Sequence, residues 1–262
     1  MDESEDRRAL LLSAERESKI LDLLANQGPL RVNELSDILD VSEPTIRRDL
    51  GRLEKTHRLR RVHGGAVLEG GAIFEPPVLL RRSLNKPAKK RIGKAAAEMI
   101  NDGETVILLG GSTTLEIVPY LKSKHNLTVI TDSMLIAIAS ANLEITCIVL
   151  GGTLLKPELT IEGHLVELCL SELHANKVIF GVRAVNFERG LLLDRLSEIG
   201  TFRAGIQAAD EAILVVDQTK FKSTATAVLG SLKMVQTIVT DADVPPEIPL
   251  RLKELGIRVF LA

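Results

Sequence analysis

The chain is short of several things that would mark other kinds of protein. Two cysteines in 262 residues, Cys147 and Cys169, are too few for a disulfide framework and lack metal-ligand spacing. They are expected as reduced, buried thiols. None of the five histidines, His57, His63, His125, His164 and His174, has a carboxylate or cysteine at such spacing, so neither a metal nor a cofactor is expected. No apolar run approaches the ~18 residues of a membrane span. Met1 to Arg8 is acidic and then basic, and the apolar run Ala9 to Leu12 is too short for a signal peptide. A cytoplasmic protein with no membrane partner is the expectation. Net positive charge is also missing: the formal charge is −2 at pH 7, which argues against a chain that coats nucleic acid over its whole surface.

What the total lacks, one stretch supplies. From Val41 to Leu68 there are seven bases, Arg47, Arg48, Arg52, Lys55, Arg58, Arg60 and Arg61, against the acids Glu43, Asp49 and Glu54, a local charge of +4. A helix from Glu43 to His57 would put Ile46, Leu50 and Leu53 on one face and Thr45, Arg48, Arg52 and Lys55 on the other. Ser42 is placed to cap it, and Pro44 fits its first turn, where amides have no intrahelical partner. Gly51 costs about 1 kcal/mol relative to alanine inside a helix. It lies towards the cationic side, where a missing side chain lets the backbone approach a partner.

Two helices precede this one. Ala14 to Asn26 carries Ile20, Leu23 and Leu24 at helical spacing and stops at Gly28-Pro29; Val32 to Leu39 carries Leu35, Ile38 and Leu39 on one face. A tight turn at Asp40-Val41 makes the last two a helix-turn-helix. Arg58 to Val67 alternates enough for two short strands joined near Gly64-Gly65, a wing whose arginines would lie beside the groove.

The run S-x-x-T-I-R-R-D-L-x-x-L-E from Ser42 to Glu54, followed by Arg61-Val62-His63-Gly64-Gly65-Ala66, resembles the DNA-binding signature of the DeoR family of bacterial transcription regulators. The resemblance implies a winged helix-turn-helix with Thr45, Arg47 and Arg48 at the DNA. The full set of candidate DNA-contacting residues is Ser42, Thr45, Arg47, Arg48, Arg52, Lys55, Arg58, Arg60, Arg61 and His63.

The expected organisation is a tail over residues 1–13, the winged helix-turn-helix over 14–68, a linker over 69–88 and an effector-sensing and oligomerisation domain over 89–262. Glycines 70 and 71 and prolines 76, 77 and 87 interrupt the linker. Beyond it, helical stretches at Lys89 to Ile100, Thr113 to Lys122, Ser133 to Ala141, Leu165 to Leu173, Glu198 to Ala209 and Pro249 to Leu255 alternate with β-branched runs. The runs are Thr105 to Leu109, Leu127 to Thr131, Ile145 to Leu150, Lys177 to Phe180, Ala212 to Val216, Thr237 to Thr240 and Arg258 to Leu261. Strands alternating with helices define an α/β class with a mainly parallel sheet.

In such a sheet ligands bind beyond the carboxyl ends of strands. Four segments fall there: Gly110-Gly111-Ser112-Thr113-Thr114, Asp132-Ser133, Gly151-Gly152, and Asp217 with Lys220. The first is a phosphate cradle in chemical type, with accessible amides, hydroxyls and a following helix N-terminus. A structural turn there, a helix cap at Asp132 or Ser133, and an Asp217–Lys220 ion pair are the structural alternatives. The family resemblance implies a domain similar to the sugar-phosphate isomerase fold, with a Gly/Ser/Thr loop, a T-x-S step, a double glycine and a D-x-x-K-F segment around a phosphorylated sugar or related metabolite. Thr113-Thr114, Thr131 with Ser133, Gly151-Gly152, and Asp217, Lys220 and Phe221 match it. Gly110 stands where aspartate is usual, Asp132 where asparagine is usual, and Phe202 where a lysine is expected; the loop resembles that of ribose-5-phosphate isomerase.

The sequence therefore points to a repressor of a carbohydrate-metabolism operon. It would bind operator DNA as a homodimer or higher oligomer and be released by a phosphorylated sugar. An isomerase using Asp132, Glu162, Asp217 or Lys220 as acid or base is the enzyme alternative, and a C-terminal domain that only dimerises is a third.

Overall fold

The computed structural model describes residues 13, 16–21, 23–24, 30–56, 58–62, 64–68 and 77–262. The chain divides into two compact units, residues 1–76 and 77–262. This division falls inside the segment expected as a linker, and residues 77–88 of that segment belong to the second unit, with Val78 fully packed. Residues 1–12 of the expected tail, the stop at Gly28-Pro29 and residues 69–76 lie outside the described residues.

In the first unit, residues 16–21 are helical (α1). They are followed by β1 (Leu30–Arg31), α2 (Val32–Leu39), α3 (Glu43–Lys55), β2 (Leu59–Val62) and β3 (Gly65–Leu68). The α2–α3 turn is made by Asp40 in the left-handed conformation, φ 52°, which asparagine and aspartate tolerate better than other side chains. Ile20, Leu24, Leu35, Ile46, Leu50, Leu53 and Leu59 form the core. Ile38, expected on the buried face of α2, is 49% exposed, whereas Leu35 is fully buried and Leu39 packs against the core in part. The wing is a three-stranded antiparallel sheet in the order β1-β3-β2. Strand β1 was not legible in the sequence because it is two residues long. Gly65 is required where it is, since a Cβ there would lie 2.3 Å from the Leu30 carbonyl oxygen.

The second unit is built on a seven-stranded sheet. After α4 (Val78–Arg81) and α5 (Lys86–Glu98), its strands are β4 (Thr105–Leu108), β5 (Thr128–Thr131), β6 (Thr146–Val149), β9 (Ala175–Phe180), β12 (Ala209–Val215), β14 (Thr237–Thr240) and β15 (Arg258–Leu261). They lie in the order β15-β14-β12-β9-β4-β5-β6, and every pair is parallel. These are the seven runs read as strands. Alternate residues divide between two cores, as the period of two demands. Ile107, Leu109, Val178 and Phe180 face one core with α7 (His164–Ser171), α8 (Glu198–Gln207) and α9 (Glu247–Glu254). Val106, Leu108 and Ile179 face the other, with α5, α6 (Met134–Ser140) and residues Thr114–Ser123. That last stretch is a 3₁₀ helix holding Pro119; the expected α-helix is replaced because proline lacks the amide an α-turn needs.

Two small antiparallel sheets were not expected. One is the hairpin of β7 (Thr153–Leu155) and β8 (Thr160–Glu162); the other has the order β10-β11-β13, from Ala184–Asn186, Gly190–Leu193 and Ala227–Gly230. The cysteines also depart from expectation, with Cys147 half-buried and Cys169 exposed.

Candidate functional site

Helix α3 presents its polar side to solvent because Ile46, Leu50 and Leu53 are wholly buried. Arg47, Arg48, Arg52, Lys55, Arg60 and Arg61 are exposed, Arg58 is half-buried, and His63 lies outside the described residues. The bases divide into two groups. Arg52 donates to Ser13 Oγ at 2.6 Å and pairs with Glu17 at 3.5 Å and Asp49 at 3.4 Å; Arg58 reaches Glu17 at 3.7 Å, and its burial lowers the pKa. Arg47 pairs with Glu43 one turn back at 3.0 Å. Among the described residues, Arg48, Lys55, Arg60 and Arg61 make no ion pair. Ser42 stands at the N-cap position, but its hydroxyl meets the Thr45 hydroxyl at 3.0 Å rather than a backbone amide. Pro44 sits in the first turn as expected.

Asp49 is the residue the sequence did not reveal. Counted only among the acids of the stretch, it is fully buried and held by Arg16, whose Nε donates at 2.5 Å and whose pKa the carboxylate raises. Its signal was its place in the helical period, three residues after Ile46 on the apolar side.

In the second unit, β4 and β9 are neighbours from which the chain winds outwards in opposite directions. This is the switch point where parallel sheets open a crevice. Gly110 to Thr114 follow β4 there; Ser112, Thr113 and Thr114 are buried, and Thr114 Oγ1 donates to the Gly111 carbonyl at 3.0 Å. Asp132 follows β5 and is 3% exposed; its Oδ1 accepts the Gly110 amide at 2.7 Å, and burial pushes its pKa up to about 7. The cap of α6 is Ser133, whose Oγ accepts from the Ile136 amide at 3.3 Å. Gly152 packs against β8, where a Cβ would lie 2.7 Å from the Glu162 carbonyl oxygen, whereas Gly151 faces open space. Asp217 is buried and caps the 3₁₀ turn Gln218–Phe221 by accepting from the Thr219 amide at 3.0 Å. Lys220 is half-buried beside it.

A cavity of about 20 Å³ opens between Gly110, Asp132, Glu162, Glu198, Thr201 and Phe202, room for about one water molecule. The structure thus joins the first two predicted segments. Gly151, Gly152, Asp217 and Lys220 are not among its lining residues, whereas Glu198 and Thr201 are additions. Of the proposed acid–base groups it brings together Asp132 and Glu162 only. Glu198 is also pushed up to about 7, chiefly by burial, against the opposing charge of Arg195.

A helix-turn-helix with a wing, followed by an α/β domain with a crevice at its switch point, defines a DNA-binding head and a sensor body. Residues 16–70 match the DeoR-like helix-turn-helix domain and residues 84–242 the DeoR C-terminal sensor domain. The chain belongs to the DeoR family of transcriptional regulators. It is 34% identical over 250 residues to the HTH-type transcriptional regulator YulB of Bacillus subtilis, covering 95% of this chain and 96% of that one. It is 30% identical over 248 residues to the glycerol-3-phosphate regulon repressor of Escherichia coli K12, covering 94% and 98%. Ribose 5-phosphate isomerase A from Methanocaldococcus jannaschii superposes with a TM-score of 0.40 at 17% identity, over 52% of this chain and 55% of that one. The family assignment favours regulation over the isomerase alternative. No helix among the described residues is long and apolar enough to cross a membrane.

Proposed function

We propose that this chain is a repressor of a carbohydrate-metabolism operon that binds operator DNA through α3 and the wing and is released by a phosphorylated metabolite. The carrying observation is the row of exposed bases that make no ion pair among the described residues, Arg48, Lys55, Arg60 and Arg61, over a fully buried Ile46-Leu50-Leu53 stripe. Thr45 and Arg48 lie towards the helix N-terminus that helix-turn-helix proteins set against base edges, and Arg60 and Arg61 would take phosphates beside the groove. Arg52 and Arg58 have a structural part in this reading, pairing with Glu17 of α1 from α3 and from the residues that follow it. The relative named for the glycerol-3-phosphate regulon supports a phosphorylated ligand, with Gly111 to Thr114 as its phosphate loop. A homodimer would present two recognition helices to a repeated site.

The test contrasts two arginines by fluorescence anisotropy on the DNA upstream of the gene. Arg48→Ala is expected to weaken binding at least tenfold with an unchanged melting temperature. Arg52→Ala is expected to lower the melting temperature first. Equal DNA affinity of Arg48→Ala and the wild type would refute the face assignment. A thermal-shift panel of sugar phosphates tests the ligand class, and no shift with any member would count against it.

A further inference from the structure

The cavity behind Gly110 has the wrong chemistry for a phosphate. Among its lining side chains are four carboxyl groups, Asp132, Glu158, Glu162 and Glu198, and no lysine, arginine or histidine. Two nearby cations act from outside it: Arg81 pairs with Glu158, and Arg195 bears on Glu198. The lysine expected at 202 would have set one cation among these four acids. Phe202 instead is 7% exposed and meets Phe180 edge to face at 5.8 Å. Position 110 is closed to any side chain by the β7–β8 hairpin, since a Cβ would lie 2.2 Å from Thr160 Cγ2.

Beyond the count of acids, the site holds buried polar atoms that make no hydrogen bond among the described residues. Thr201 is 3% exposed, lines the cavity, and its hydroxyl has no hydrogen-bond partner; the buried Oε2 of Glu162 likewise has none. Buried polar atoms left in this way are costly and call for a partner. The described Asp, Glu, His and Cys side chains do not converge in threes closely enough to hold a metal ion; the carboxylate and hydroxyl oxygens here are acceptors, which a hydrogen-bond donor of about one heavy atom's size would satisfy. A primary ammonium offers three donors and the complementary charge.

We infer that this cavity is a subsite for a protonated amine, and that the effector is an amino-substituted sugar phosphate. Its ammonium lies among Asp132, Glu162, Glu198 and Thr201, and its phosphate lies outside, on the Gly111–Thr114 loop. The second half of this statement rests on the phosphate assignment proposed above; the amine subsite does not.

Isothermal titration of the full chain with glucose, glucosamine, glucose 6-phosphate and glucosamine 6-phosphate separates the two. Glucosamine 6-phosphate is expected to bind at least tenfold tighter than glucose 6-phosphate, and glucosamine tighter than glucose. Glu162→Gln is expected to cut the amine preference at least threefold while the variant keeps its cooperative melt. Thr201→Val, which removes the hydroxyl at nearly constant shape, is the second variant and is expected to act in the same direction. Equal or weaker binding of the amine in both pairs, or no binding of either amine, overturns the subsite. An amine preference with no gain from the phosphate upholds the subsite and refutes the phosphate loop.

Discussion

At the scale of single residues, two buried acids illustrate opposite solutions to the same cost. Asp49 is buried against Arg16, whose guanidinium donates to both of its oxygens, with the Arg52 guanidinium 3.4 Å from Oδ1. Removing one partner of a buried pair leaves the other uncompensated. Asp49→Ala is therefore expected to destabilise the DNA-binding unit by about 3 kcal/mol, read by urea unfolding. Asp132 has no such cation among the described residues: its Oδ1 accepts the Gly110 amide, and burial raises its pKa to about 7. The sign follows from linkage. Between about pH 4 and 7 the folded chain holds a proton that the unfolded chain has released, so this acid's contribution to stability is lost as pH rises. Asparagine keeps the acceptor for Gly110 without the charge. Asp132→Asn is expected to match the wild type near pH 4 and to exceed it by about 2–4 kcal/mol at pH 8. A difference that does not vary with pH would mean that Asp132 is not forced to hold its proton.

At the scale of elements, the legible features were those with a period. The seven parallel strands stood out as short apolar, β-branched runs, covered on both faces in the five inner strands though not in the edge strands β6 and β15, and α3 stood out because its apolar and basic residues separate at helical spacing. Elements without a period were hidden. The hairpin of β7 and β8 has three residues per strand, with Leu154 exposed, so its register is set by contacts distant in sequence, such as Ser133 bridging to Thr160. For the same reason the loops at Gly110 and Asp132 were each recognisable as strand ends, whereas Glu198 and Thr201 could join them only through the packing of α8. Gly51 remains a feature of α3 itself. A Cβ there meets nothing within 4 Å, so Gly51→Ala is expected to stabilise the unit by about 1 kcal/mol. If the bare backbone serves close approach to DNA, the same change weakens operator binding several-fold; a more stable variant with unchanged affinity would remove that role. Gly65→Ala is expected to cost about 1–3 kcal/mol in unfolding experiments, since the added carbon meets backbone at Leu30.

At the scale of the whole molecule, charge is distributed rather than abundant. A chain of net charge −2 carries Arg48, Lys55, Arg60 and Arg61 on one helix and one hairpin, without ion pairs among the described residues, and sets four acids around one cavity. Regulation in this account is a coupling free energy: a metabolite that binds the DNA-incompetent population more tightly weakens operator binding by the same factor by which operator weakens metabolite binding. The central claim is that the α3 and wing face binds operator DNA through that small set of cations. The most direct measurement is the affinity of the full chain for the duplex upstream of its own gene and for a scrambled duplex, titrated from about 50 to 300 mM salt, a range over which phosphate contacts are lost as counterions compete. The expected result is a log–log slope steeper than about −3 on both duplexes, with a tighter constant on the upstream one at every salt. A flat salt dependence, or equal affinity for the two sequences, would contradict the account.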